Sequence, residues 1–97
     1  MFFTNWIESI IKRNKYYFNI EFKIKDKDKS ELLYSKFLEF VKKLELKPNG
    51  VFYDKKVILS LFSNKNIKQS TIRRIKEWLF IYGILDFTIS DIIKYKE

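Results

Sequence analysis

Residues 51–62 read Val51-Phe52-Tyr53-Asp54-Lys55-Lys56-Val57-Ile58-Leu59-Ser60-Leu61-Phe62. Two runs rich in β-branched and aromatic residues are parted only by Asp54-Lys55, which predicts an antiparallel hairpin. Alternation then puts Val57, Leu59 and Leu61 on one face and Ile58, Ser60 and Phe62 on the other. Asp-Lys is a weaker two-residue turn than Asp-Gly, so the sequence leaves the register open. The flanks decide the fold, because a helical pattern lies on each side of this hairpin and a strand pattern beyond each helix.

Upstream, Tyr17 to Lys25 alternates strictly, with Phe18, Ile20, Phe22 and Ile24 on one face. The polar run Asp26-Lys27-Asp28-Lys29-Ser30 breaks the pattern as a helix-capping turn. From Glu31 the apolar positions Leu33, Phe37, Phe40, Val41 and Leu44 follow the helical period over about four turns. Asp28 with Glu31 fits a capping pair loosely, and Ser30 is the competing cap. Lys47-Pro48-Asn49-Gly50 is expected to end this helix in a turn, since proline cannot continue it and Asn-Gly tolerates positive φ. Downstream, Ser63 to Gln69 reads as a polar loop and Ser70 as the N-cap of a helix with Ile72, Ile75, Trp78, Leu79 and Tyr82 inward and Gly83 as its C′ residue. Leu85, Phe87 and Ile89 alternate as a last strand, and Asp91 to Glu97 forms a turn or extension. A short amphipathic helix over residues 1–15, with Trp6, Ile7, Ile10 and Ile11 at its spacing and Thr4 or Asn5 as cap, precedes the core at 16–97. The expected fold is α+β: a ferredoxin-like βαββαβ antiparallel sheet with two helices on one face. The other face is left to water, a partner or the N-terminal helix.

Ninety-seven residues allow a single domain, and 46% hydrophobic against 33% charged residues, with two glycines and one proline, describe a compact chain. Histidine and cysteine are both absent. That excludes disulfides, a thiolate nucleophile and cysteine-ligated zinc, and removes the commonest general base. Only a carboxylate chemistry around Asp54, Asp86 or Asp91 would remain, and their spacing recommends none of them, so no enzyme, cofactor or metal is expected. A calcium loop starting at Asp26 would need glycine where Glu31 stands and glutamate where Phe37 stands. The longest uncharged apolar run, Trp78 to Leu85, has eight residues, far short of the ~18 that span a bilayer. Lys12, Arg13 and Lys15 follow the first apolar stretch instead of preceding it, unlike a secretory signal. A soluble, cytoplasmic protein without membrane association is expected.

The formal charge is +8. Seventeen of the twenty basic residues are lysine and alanine is absent, the pattern that AT-rich coding writes whatever the function. Placement is therefore more informative than total. Lys55, Lys56, Lys65, Lys68, Arg73, Arg74 and Lys76 fall in a stretch without one acidic residue, closed by Glu77. These seven are the candidate surface for RNA or an acidic protein partner, and Arg73-Arg74 offers bidentate phosphate contacts that lysine cannot. Most aromatics are needed for the core, leaving Tyr17, Phe52, Tyr53 and Phe62 as stacking candidates. The strand from Lys56 to Phe62 lacks the glycine-and-aromatic pattern of an RNA recognition motif.

Three strings, Leu46-Lys47-Pro48-Asn49-Gly50-Val51-Phe52, Ile75-Lys76-Glu77-Trp78-Leu79 and Asp86-Phe87-Thr88-Ile89-Ser90, together with the element order, resemble the YggL family of ribosome-associated proteins over about residues 18–95. The chain departs from that family at the hairpin turn Tyr53-Asp54-Lys55-Lys56 and at the C-terminal Ile92-Ile93-Lys94-Tyr95. The resemblance implies a non-enzymatic fold and binding to the large ribosomal subunit. The leading expectation is a small basic protein that contacts RNA or a ribonucleoprotein. The alternative is a phage or mobile-element inhibitor that blocks a nucleic-acid enzyme such as a CRISPR effector. A homodimer contact through the N-terminal helix or open sheet face is compatible with either.

Overall fold

The computed structural model describes residues 15–94, so the expected N-terminal helix lies outside the described residues. The alternation of the first strand is realised as β1, Tyr16–Lys23, which buries Phe18, Ile20 and Phe22. β2 (Lys47–Tyr53) and β3 (Lys56–Ser63) form the hairpin, and β3 also pairs antiparallel with β1. β4 (Phe87–Ile89) adds to the far side of β1, giving the order β2-β3-β1-β4. Two helices, α1 (Ser30–Lys43) and α2 (Gln69–Ile81), complete an α+β fold whose sheet is antiparallel and compatible with the ferredoxin-like expectation.

The register sets Phe18 opposite Leu61, Ile20 opposite Leu59 and Phe22 opposite Val57. These six form one apolar face, and Phe37 and Val41 of α1 and Ile72, Ile75 and Leu79 of α2 bury against it in a single cluster. Each such side chain contributes roughly 1.5–3 kcal/mol through removal from water. Phe37 joins the three units, its ring edge-on to Phe22 at 5.0 Å and to Trp78 at 5.1 Å.

The hairpin turn is of type I′: Asp54 and Lys55 have φ of 50° and 64°, and Tyr53 faces Lys56. The twist of the I′ turn matches the strands, which is why non-glycine residues are held there at positive φ. Gly50 faces Leu59 across the same pair, and a Cβ there would overlap the carbonyl oxygen of Ile58.

Helix ends correct several sequence expectations. Lys47-Pro48-Asn49-Gly50 is not a turn but the start of β2. Proline is tolerated because β2 lies at the sheet edge. α1 stops earlier, in a Schellman motif where Leu46 N–H donates to the Val41 carbonyl and Glu45 N–H to that of Lys42, both at 3.0 Å, with Glu45 at φ 64°. At its start the N-cap position is Lys29, without a side-chain bond, and Asp26 caps the preceding 3-10 turn, Lys27–Lys29, its carboxylate accepting from Asp28 N–H at 3.0 Å. Neither Asp28 nor Ser30 is the cap, and the Ser30 hydroxyl donates instead to the Lys27 carbonyl at 2.8 Å. Ser70 is likewise not the cap of α2: Lys68 holds that position without a side-chain bond. Ile67 and Ile72, both buried, occupy the two positions of a hydrophobic staple and fix the chain's approach to the helix. At the other end Gly83, φ 74°, does end α2 as read, with Ile84 N–H donating to Leu79 at 2.8 Å and Gly83 N–H to Phe80 at 3.0 Å. That motif buries Ile84 and leaves Leu85, expected on a strand face, outside β4 and exposed.

After β4 the chain continues along β1 as β5, Ile93–Lys94, with one residue too many: three steps from Tyr17 to Ile20 are matched by four from Ile89 to Ile93. Ser90 fills this bulge, its hydroxyl accepting from Asn19 N–H at 2.8 Å while its own N–H donates to the Asn19 carbonyl at 2.9 Å.

Two substitutions test these constraints by thermal unfolding. Gly50→Ala should destabilise by about 1–3 kcal/mol, because strand backbone cannot yield as a flexible side chain would. Glu45→Gly should stabilise by about 1 kcal/mol through relief of the left-handed conformation, raising the midpoint by ~4–8 °C for a domain of this size.

Candidate nucleic-acid interface

The structure divides the seven sequence-predicted cations. β3 stands between Lys55-Lys56 at the hairpin turn and Lys65-Lys68 beyond its far end, and its eight residues cover about 23 Å at ~3.3 Å per step. Lys55 and Lys56 are also engaged by the fold. The Lys55 carbonyl accepts from Ile24 N–H at 2.8 Å. Lys56 Nζ lies 2.6 Å from Glu21 Oε1, on the sheet face away from the helices. Its hydrogen bond to Glu21, and then the charge of that carboxylate, raise the Lys56 pKa above the ordinary lysine value.

Around this ion pair lies a shallow pocket bordered by Glu21, Lys23, Tyr53, Asp54, Lys56 and Asp86. Asp54 and Asp86, two of the three carboxylates left over by elimination, thus meet at one place, whereas Asp91 does not border it. Among the described residues no group of three or more acidic side chains is arranged to hold a metal ion. The pocket sets three carboxylates, Glu21, Asp54 and Asp86, against two lysines, Lys23 and Lys56.

Lys65, Lys68, Arg73, Arg74 and Lys76 all follow the far end of β3, on the loop and on α2, and all are exposed. The cause is local. Ile67 is buried and ties the loop down beside α2, while Ile72 and Ile75 point into the core, so the 100° step per residue turns Arg73, Arg74 and Lys76 to solvent. The first turn of α2 carries no acidic residue and no side-chain cap, so its unsatisfied N–H groups and dipole add positive potential at the same end. Among the described residues, the group's one ion pair joins Lys65 to Glu45 at 4.0 Å, with both side chains about four-fifths exposed, and such a pair contributes little.

Between this loop and the end of α1 lies a notch of about 280 Å³, bordered by Glu45, Ser63, Lys65, Asn66, Lys68 and Thr71 among others. Ser63, Asn66 and Thr71 were not singled out by sequence. Their only signal there was the polarity of the loop, yet they supply neutral hydrogen-bonding groups beside two lysines. The groups present suit an extended polyanion: Lys65, Lys68 and neutral hydroxyl and amide groups border a concave step, and Arg73 and Arg74 follow on the exposed side of α2.

The stacking candidates are mostly spent within the fold. Tyr17 stacks on Phe62 at 5.4 Å and Phe52 on Tyr34 at 4.8 Å, which leaves Tyr53, 67% exposed. Among the described residues no helix is long and apolar enough to cross a membrane. In comparisons with known proteins, no family model matches this chain and no curated protein is significantly similar to it.

The Glu21–Lys56 pair has a definite pH signature. A lysine pKa raised by folding contributes stability that is fully present below the unfolded value and lost as pH climbs through the folded one. Glu21→Gln should return the Lys56 titration toward the ordinary lysine midpoint in an NMR titration of its side-chain signals. It should also remove the extra stability at neutral pH while leaving the strongly alkaline limit unchanged.

Proposed function

We propose that this protein is a small, non-enzymatic RNA-binding protein of ferredoxin-like fold that seats an RNA backbone on the loop before α2 and the first turns of that helix. The carrying observation is that Lys65, Lys68, Arg73, Arg74 and Lys76 are all exposed on the loop before α2 and on that helix, with Lys65 and Lys68 bordering the polar notch. The strand order β2-β3-β1-β4 and the single core shared by both helices support the fold assignment. Binding is electrostatic occupancy: cations release condensed counterions from the phosphates, arginine forks hold phosphate oxygens in pairs, and no residue reads base sequence. The three strings that resemble the YggL family favour a ribonucleoprotein in the cytoplasm, with the large ribosomal subunit the foremost candidate.

A salt titration of binding to a structured ribosomal RNA fragment, followed by fluorescence anisotropy, tests the reading. Reversing Lys68, Arg73 and Arg74 to glutamate should weaken binding more than about tenfold and flatten the slope of log K against log salt by ~0.7–0.9 for each phosphate no longer neutralised. Lys55→Glu, on the other side of β3, should leave both quantities near wild type. Equal affinity of the triple variant and the wild type would refute the proposal.

A further inference from the structure

The sheet face turned away from the helices carries apolar residues of its own. Ile93, Tyr17 and Phe62 form a cross-strand row at the end where β1 begins. Two rows further along, Glu21 is followed across the strands by Ile58 and Val51. None of these apolar residues belongs to the core cluster or packs against it, whereas their chain neighbours Tyr16, Leu61 and Phe52 do. Exposure falls along this face from 56% at Val51 and 40% at Ile58 to 6% at Phe62. Side chains stand perpendicular to a sheet, so the stacked Tyr17 ring, 5.4 Å away, shields the flank of Phe62 and not its tip. Burial of this degree calls for a cover above the row where β1 begins, and both helices are spent on the opposite face.

We propose that residues 3–11 of this chain are the cover: an amphipathic helix with Ile10 and Ile11 over Tyr17, Phe62 and Ile93, and with Phe3, Trp6 and Ile7 reaching Ile58 and Val51. Position, length and chemistry select this occupant. The segment enters β1 at Tyr16, beside the buried row. Lys12-Arg13-Asn14-Lys15 supplies four polar residues for the reversal, within the usual helix-to-strand connection of about 2–6. Phe3 to Ile11 spans about 12 Å at ~1.5 Å per helical residue, and Phe62 to Ile58 about 13 Å at ~3.3 Å per strand residue. At 100° per residue Phe3, Trp6, Ile7, Ile10 and Ile11 share one side and leave Asn5, Glu8 and Ser9 on the other. A segment tethered this closely meets the face at roughly millimolar effective concentration, which favours it over a second copy or a separate protein. It also closes Tyr17 and Phe62 to stacking with nucleic acid. The proposal stands apart from the RNA reading, since it uses no residue of α2 or of the loop before it.

Nuclear Overhauser spectroscopy of the full chain tests it. The expected result is a set of cross-peaks from Trp6, Ile7 and Ile10 to Tyr17, Phe62 and Ile58 that survives dilution. The same peaks should be absent from the intermolecular spectrum of mixed labelled and unlabelled protein. Ile7→Ser with Ile10→Ser should remove them while keeping the core cross-peaks between Phe22 and Phe37, whose rings are 5.0 Å apart. That variant should lose about 5 °C or more of thermal midpoint, whereas Leu32→Ser, at an exposed site on α1, should stay within about 1 °C of wild type. Missing cross-peaks in the wild type, or cross-peaks confined to the intermolecular spectrum, would overturn the proposal. So would a midpoint indifferent to the double substitution. The Lys68, Arg73 and Arg74 variant should keep every one of these cross-peaks whether or not it binds RNA, so the two readings fail separately.

Discussion

The structure depends on the strict alternation of β1. This strand is hydrogen-bonded to β3 on one side and to β4 and β5 on the other, so every other strand takes its face from it. A slip of one residue would turn Phe18, Ile20 and Phe22 to solvent and present Asn19, Glu21 and Lys23 to the helices. Phe37 makes that register consequential, because its ring meets Phe22 below and Trp78 beside it and so ties both helices to the same side of the sheet.

The candidate RNA surface is a by-product of this packing as much as a feature in its own right. Burial of Ile67, Ile72 and Ile75 fixes the rotation of α2, and the rotation fixes where Arg73, Arg74 and Lys76 point. A substitution at Ile72 would thus shift the neighbouring cations without removing one of them. The same rotation exposes Phe80 and Ile81, so one helix presents charge near its start and apolar surface at its end.

Much of this was legible beforehand where the signal is local and periodic. The alternation of β1, the Asp54-Lys55 hairpin, the inward face of α2 and Gly83 all follow from spacing and turn chemistry. What escaped depends on partners distant in sequence. Pro48-Asn49-Gly50 has the composition of a turn, but pairing with β3 recruits it into a strand, and Glu45 absorbs the positive φ that the composition assigned elsewhere. Ser70 is a good local cap, yet the buried pair Ile67 and Ile72 sets the helix start two residues earlier. The acid-free stretch looked continuous because adjacency along the chain conceals the length of an extended strand, and β3 carries Lys55 and Lys56 away from the other five.

Pro48 and the Ser90 bulge stand at opposite borders of the sheet. An open sheet ends in strands with unsatisfied backbone groups, each a template for a foreign strand. On the β2 side, Pro48 removes one backbone donor from the template. On the β4–β5 side, the extra residue interrupts the ladder after only three paired positions, so no long straight edge is offered. In a chain this rich in phenylalanine and isoleucine, these two local irregularities oppose edge-to-edge growth into fibres.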